Sequence, residues 1–194
     1  MKSYKLIVEN RKYERYSFID VKTMSVLSDD ECVLNPLEHK LFNHDIFTFH
    51  DNQCNLLHST IKSATYIPGV LVLKNDRRFG KYKKKYLYKC IPDDKRLPIF
   101  LVPYSVKQQF AKNYVNKYVI FKFKNWDNKH PYGELANVLG NVSSLDIFYE
   151  YQLYCKSLYA SIQKFTKQTM KQLKTHSQDY FIDCIKQKYK MEER

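Results

Sequence analysis

Between Lys74 and Lys89 the sequence interleaves cations with aromatic rings, running through Arg77-Arg78-Phe79 and then Lys81-Tyr-Lys-Lys-Lys-Tyr-Leu-Tyr-Lys89. These two side-chain types together suit a single-stranded polyanion. Bases stack on rings, at about 1–3 kcal/mol each, while ammonium and guanidinium groups follow the phosphates. The candidate stacking residues are Phe79, Tyr82, Tyr86 and Tyr88. The candidate phosphate contacts are Lys74, Arg77, Arg78, Lys83, Lys84, Lys85, Lys95, Arg96, Lys122 and Lys124. If residues 81–89 form one strand, Tyr82, Lys84, Tyr86 and Tyr88 share a face. An exposed edge strand whose lysines deter aggregation explains the same residues. An Asp94 ion pair that holds a turn accounts equally well for Lys95 and Arg96.

The charge is concentrated in the same region. Residues 62–129 carry 17 Lys/Arg against 4 Asp/Glu, whereas residues 1–61 carry 7 against 9 and residues 131–194 carry 9 against 7. The net +13 therefore lies wholly in the middle third. An AT-rich genome would enrich Lys, Tyr, Phe and Asn throughout, so the localisation is more informative than the total. A field of this size attracts phosphate backbones or anionic surfaces.

Residue patterns that break bonds are missing. The sequence has no glycine-rich phosphate loop, no nucleophile elbow and no His-x-x-x-His pair, and its basic middle holds too few carboxylates to gather a catalytic metal. His39, His44, His50 and His58, with Cys32 or Cys54, fit no closed tetrahedral spacing and read as surface or core histidines. No catalytic residue, metal ligand or cofactor is predicted. The five cysteines, odd in number and without a CxxC pair, read as reduced thiols of an intracellular protein. No apolar run is long enough to span a bilayer, and the N-terminus has too short an apolar core for a secretory signal. The expectation is a cytoplasmic or nuclear protein with no membrane partner.

The elements that must position these residues follow from periodicity. Tyr4, Leu6 and Val8 alternate, as do Tyr16 and Phe18, and a further strand is expected from Asp45 to Phe49. Asp29-Asp30-Glu31 and Asn35-Pro36 read as turns. After Pro68-Gly69 come strands at Val70–Lys74, at the basic run, at Pro98–Pro103 (placed at a sheet edge by its prolines), at Tyr118–Lys124 and from Gly133 to Leu139. In Tyr118–Lys124, Val119, Phe121 and Phe123 point into a core and Lys122 and Lys124 point out. Trp126 reads as a core plug before a stacking platform. Five or six short strands within some 75 residues suit a small closed barrel of the oligonucleotide-binding (OB) type. From Ser143, with Asp146 three residues on as a capping box, the period becomes helical. Phe148, Tyr151, Cys155, Leu158, Ile162 and Phe165 predict one long amphipathic helix reaching Leu173. A second helix follows the break at Thr175-His176-Ser177. The domains expected are 1–62, 63–141 and a helical extension, 142–194.

The order of these signals resembles a known family. Gly69-Val-Leu-Val-Leu, then Cys90-Ile-Pro-Asp-Asp-Lys-Arg-Leu-Pro-Ile, then Val119 to Trp126, is similar to the second cold-shock domain of RNase II/RNase R-type exoribonucleases. The likeness is strongest to the eukaryotic exosome-nuclease branch, and His130-Pro-Tyr-Gly133, Leu139-Gly140 and Glu150 extend it. The resemblance implies a mainly β fold with an α C-terminus, in which two OB/cold-shock-like barrels precede the helical extension. It also implies single-stranded RNA as partner, channelled toward an RNB catalytic domain. That domain's Asp-rich, magnesium-binding motif occurs nowhere in this sequence. Three readings follow. The chain is a non-catalytic RNA-binding module; or it is half of a split or truncated exoribonuclease, its C-terminal helices docking an RNB-domain chain that would bring Mg2+; or it is a structural protein that reuses the fold.

Overall fold

The computed structural model describes residues 2–28, 34–50, 53–106 and 114–189; the turn expected at Asp29-Asp30-Glu31 and the residue Cys32 lie outside them. The chain divides into two compact units, Met1–Leu158 and Tyr159–Arg194. It is mainly β with a helical C-terminus.

In the first unit, β1 (Tyr4–Val8), β2 (Tyr16–Asp20), β3 (Ile46–His50) and β4 (Gln53–His58) form an antiparallel sheet in the order β2-β1-β3-β4. The alternation in β1 and β2 turns Leu6, Val8 and Phe18 to one side, where they bury with Phe47, Tyr13, Leu34 and Leu41. Among the described residues this sheet closes no ring. A short helix, α1 (Thr60–Ser63), follows; the Ser59 side chain caps it by accepting from the Lys62 N–H.

The next five long strands do close. They are β5 (Ile67–Leu71), β7 (Lys85–Pro92), β8 (Phe100–Tyr104), β9 (Lys117–Asn125) and β10 (Tyr132–Asn141), with a two-residue strand, β6 (Lys81–Tyr82), paired onto β7. The order β5-β9-β10-β8-β7 returns to β5 through a further β5–β7 ladder. The last two barrel strands thus run antiparallel to each other, one against the first strand and one parallel to the third. This is the five-stranded Greek-key ring of an OB fold. Two glycines permit the tight closure. A Cβ on Gly69 would stand 2.8 Å from the Ile91 carbonyl oxygen, and one on Gly133 would stand 2.6 Å from Cδ2 of Phe121.

The prolines of β8 do not put it at an edge. β7 pairs along its whole length, while β10 meets it only at Tyr132↔Leu101. Pro103 lies beyond that single pair, where no ladder bond is asked of its missing N–H. The β8–β10 seam is therefore the thinnest join in the ring.

The barrel core holds Leu71, Tyr88, Cys90, Phe100, Val102, Val119 and Phe121, with Trp126 as the expected plug. Phe42, from the segment between β2 and β3, enters the same core, its ring centroid 4.7 Å from Trp126 and 5.8 Å from Phe100. Leu37 packs against both clusters. Arg11 completes the join: its guanidinium donates to the carbonyls of Leu97 (2.9 Å), Pro92 (2.7 Å) and Asp94 (3.3 Å). Sheet and barrel thus share side chains across their boundary.

The helical region departs from the expected long helix. α2 (Leu145–Cys155) has Ser144, not Ser143, at its N-cap, and that side chain makes no capping bond. Its Tyr151 and Tyr154 bury against Ile120 and Leu139, so α2 covers the outer side of β9. Glu150 is buried there as well. At Ser157 the backbone turns left-handed (φ 59°), the Ser157 N–H donates to Tyr154 and the Leu158 N–H to Leu153. That pair of bonds is a Schellman motif, which ends the helix as a glycine would. A serine in this conformation carries no strong signal in sequence. In the second unit Ser161 caps α3 (Ile162–Thr175) by accepting from the Lys164 N–H, and α4 (Gln178–Tyr189) follows the expected break. No helix of the described residues is long and apolar enough to cross a membrane.

Candidate nucleic-acid interface

The basic run is not one strand. β6 and β7 form a hairpin that reverses at Lys83-Lys84, where Lys83 takes a left-handed φ of 54°. Tyr82 and Tyr86 therefore stand on different strands, and the single tyrosine face expected from alternation does not exist. On β7 itself Tyr86 and Tyr88 do share a face, but it is the inner one. Tyr88 is 2% exposed in the barrel core, so its ring offers nothing to a base. Its hydroxyl donates to Asp76 Oδ1 at 2.9 Å. Burial and that carboxylate push the phenol up to about 12.

Asp76 organises the loop before the hairpin. A 3-10 turn at Lys74–Asp76 is pinned by Asn116, whose Oδ1 accepts the N–H groups of Leu73 and Lys74, both at 2.9 Å. Arg78 pairs with the Asp76 carboxylate through Nε and Nη2 and lies 4.1 Å from the Tyr86 ring centroid. Its hydrogen bonds hold Asp76 below the ordinary carboxylate value. Arg78 is thus already paired with an acid of the protein, although it is exposed, as are Lys74 and Arg77. The Arg96 guanidinium likewise donates to both Asp94 oxygens, at 2.9 and 3.0 Å, and so takes the turn-holding role. Burial pushes the Asp94 carboxyl up, but the Arg96 bonds outweigh it and leave it lowered. Lys95 stays exposed beside it.

Two places bring remaining cations together with the candidate rings Tyr82 and Phe79. One is a groove of about 490 Å³ across the β8–β10 seam, lined by Tyr82, Lys83, Lys84, Lys85, Pro103, Lys124, Asn125 and Tyr132 to Leu135. There Lys124 Nζ donates to the Tyr82 hydroxyl at 2.8 Å and lies 4.5 Å from its ring centroid. The bond lowers the Tyr82 phenol and raises the Lys124 ammonium, as a cation that donates to a phenol oxygen does. Lys122, expected alongside Lys124, leans instead on Tyr66 at 5.3 Å. The other place is the outer side of β7, where Lys89 Nζ lies 4.6 Å from the Phe79 ring centroid. His130 stands near enough for Lys89 to act on it. Burial first, then Lys89 and Lys129, lower the imidazole.

Lys89, His130, Tyr132 and Glu134 were not recognisable as site residues. Lys89 shares its strand face with Lys85, two strand periods earlier, but only the hairpin register shows which face is outward. His130, Tyr132 and Glu134 join through ring closure, which leaves no local trace. OB barrels take up oligonucleotides on the face of their second and third strands, flanked by the loops after the first and fourth. Here those are β7, β8 and the segments 72–84 and 126–131, which carry Phe79, Lys89 and His130.

Residues 87–151 match the family model for the Dis3-like cold-shock domain 2 (CSD2). Over those residues the barrel is similar to a Dis3-like cold-shock domain 2. The match takes in most of β7, then β8, β9, β10 and the first turns of α2. It leaves out β5 and the segment carrying Lys74 to Tyr86. Of the candidate residues, Tyr88, Lys95, Arg96, Lys122 and Lys124 fall inside the cold-shock match. No curated protein matches the chain.

Proposed function

We propose that the cold-shock barrel grips single-stranded RNA, and that the chain is a non-catalytic module of the kind that channels substrate in RNB-family exoribonucleases. In this reading residues 1–62 are a first cold-shock-like domain, 63–141 the second and 142–194 a helical extension, in a cytoplasmic or nuclear protein. The observation that carries it is the gathering of Lys83, Lys84, Lys85 and Lys124 around Tyr82 and Tyr132 on an OB barrel, next to the Phe79–Lys89 pair. Stacking surfaces beside cations suit unpaired nucleotides, since a duplex hides its base faces. Arg77 and Lys74 extend the phosphate track, and Phe79 and Tyr82 take the stacking roles. Among the described residues no cluster of three or more His, Cys, Asp or Glu could hold a metal ion.

Fluorescence anisotropy of the full chain with labelled oligouridine tests the proposal. Expected is binding that weakens steeply between about 50 and 200 mM salt, and weaker binding to a duplex of equal length. Absent binding, or binding indifferent to salt, refutes it and favours a structural protein that keeps only the fold. Incubation with Mg2+ should leave end-labelled RNA uncut; shortening of the RNA would make this chain a nuclease.

A second reading draws on the second unit. Ile162, Phe165 and Leu173 of α3 recur on one side of the helix and are all exposed, Phe165 by 68%. A row of this kind suits a partner chain, and an RNB-type catalytic subunit bringing Mg2+ fits the split-exonuclease reading. Co-elution of the two chains, lost on Phe165→Asp, is the expected result.

A further inference from the structure

We infer that the seam groove reads a base whose edge carries two adjacent N–H donors, guanine foremost, through Glu134; this rests on the RNA reading above. Glu134 is the one acid among the groove's lining residues, beside Lys83, Lys84, Lys85 and Lys124. A groove meant for phosphate alone is weakened by it, because an ionised carboxylate only accepts hydrogen bonds and repels a phosphate oxygen. Its partner in the ligand must be a donor.

The structure shows how the carboxylate is presented. A Cβ on Gly133 would collide with Phe121 and Val102, so position 133 faces the core and its neighbours Tyr132 and Glu134 face outward into the groove. Glu134 is exposed, stands opposite Lys122 in the β9–β10 ladder, and lies close enough for its charge to act on both Lys124 and Tyr82. Two tyrosines, Tyr82 and Tyr132, supply ring surface on the way in. The volume of about 490 Å³ is within the range that holds one small ligand, here a single nucleoside unit.

Among the four bases only guanine offers two neighbouring donors on its Watson–Crick edge, at N1 and N2, a match for the two carboxylate oxygens. Adenine and cytosine set their amino group beside an acceptor nitrogen. Uracil flanks its one N–H with two carbonyls, which the carboxylate repels. The lysines then meet the phosphates on either side of the bound nucleoside.

The test compares the full chain and Glu134→Gln on three probes: a short oligouridine, the same oligomer with one central guanosine, and that oligomer with inosine in its place. The native chain should bind the guanosine oligomer about tenfold tighter than oligouridine, the discrimination typical of one paired base contact. Inosine, which lacks the N2 amino group, should fall between them. Glu134→Gln should bring the three affinities together, because an amide presents one oxygen and one NH2 and no longer accepts from both guanine donors. A native chain indifferent to the guanosine, or a preference that survives Glu134→Gln, overturns the inference. If the oligomers bind equally but salt-dependently, base reading fails and RNA binding stands; if none binds, both fall.

Discussion

The salt dependence of RNA binding measures how many lysines meet phosphate. Replacing Lys83, Lys84, Lys85 and Lys124 together by alanine removes the groove's cations and leaves the barrel core untouched. On a single strand each neutralised phosphate contributes about −0.7 to the slope of log K against log salt. Four contacts therefore contribute about 2.8 to the steepness. Between about 50 and 200 mM salt, a fourfold change, those contacts account for about 1.7 logarithmic units, a ~50-fold loss of affinity. The native chain should show that loss in addition to whatever Lys74, Arg77 and Lys89 contribute. The quadruple variant should bind more weakly at low salt and show a slope shallower by about 2.8. Anisotropy with oligouridine at four salt concentrations reads both quantities. Equal slopes would mean that the groove lysines meet no phosphate, and the placement of the RNA there would be wrong even if affinity fell.

Three further outcomes test the fold that holds the groove. Asp45 is buried, and burial lifts its carboxyl to about 6, against the pull of the Ser59 hydroxyl and the Phe42 N–H. A carboxyl raised above its unfolded value favours folding while it is protonated, so this contribution is full below about pH 4 and is lost as pH rises through about 6. Asp45→Asn cannot ionise, and its stability relative to the native chain should rise by about 2 kcal/mol from pH 4 to pH 7 in urea denaturation; a constant difference would contradict the shift. Phe42→Ala should cost about 3–5 kcal/mol, because its ring fills the barrel core from a segment that also serves the sheet. A loss below about 1 kcal/mol would show that the two β units are held together by other contacts. Ser157→Gly should stabilise by about 1 kcal/mol, since glycine adopts φ near 59° without the Cβ penalty. Thermal unfolding would register that gain, and a lower midpoint would speak against the Schellman turn.

Much of the barrel could be read in the chain because its signals are local. Val119, Phe121 and the lysines between and after them alternate at the strand period, and burial on one side with exposure on the other follows directly. The Trp126 plug and the break at Thr175–Ser177 likewise rest on residues next to one another. The single face expected for Tyr82, Tyr86 and Tyr88 does not form, for a related reason. Alternation reports that two residues share a face, but not where a chain of lysines reverses. One reversal at Lys83-Lys84 sent Tyr88 into the core. The helix break at Ser157 was missed because a serine, which seldom adopts that φ, performs a glycine's task.

Taken by itself, the amino-acid sequence determined the β-rich middle, the strand periods, the confinement of charge to residues 62–129 and the absence of a familiar catalytic motif. Those properties depend on composition and on neighbours within a few positions. Only the tertiary structure decided which cations act together. Lys85, Lys124, Tyr132 and Glu134 come from three strands and meet because the ring closes across the β8–β10 seam. Arg78 and Arg96, cations of the same basic region, are occupied by Asp76 and Asp94. Ring closure and partner choice are contacts between residues distant in the chain, set by the packing of the whole core, and no short stretch of sequence carries them.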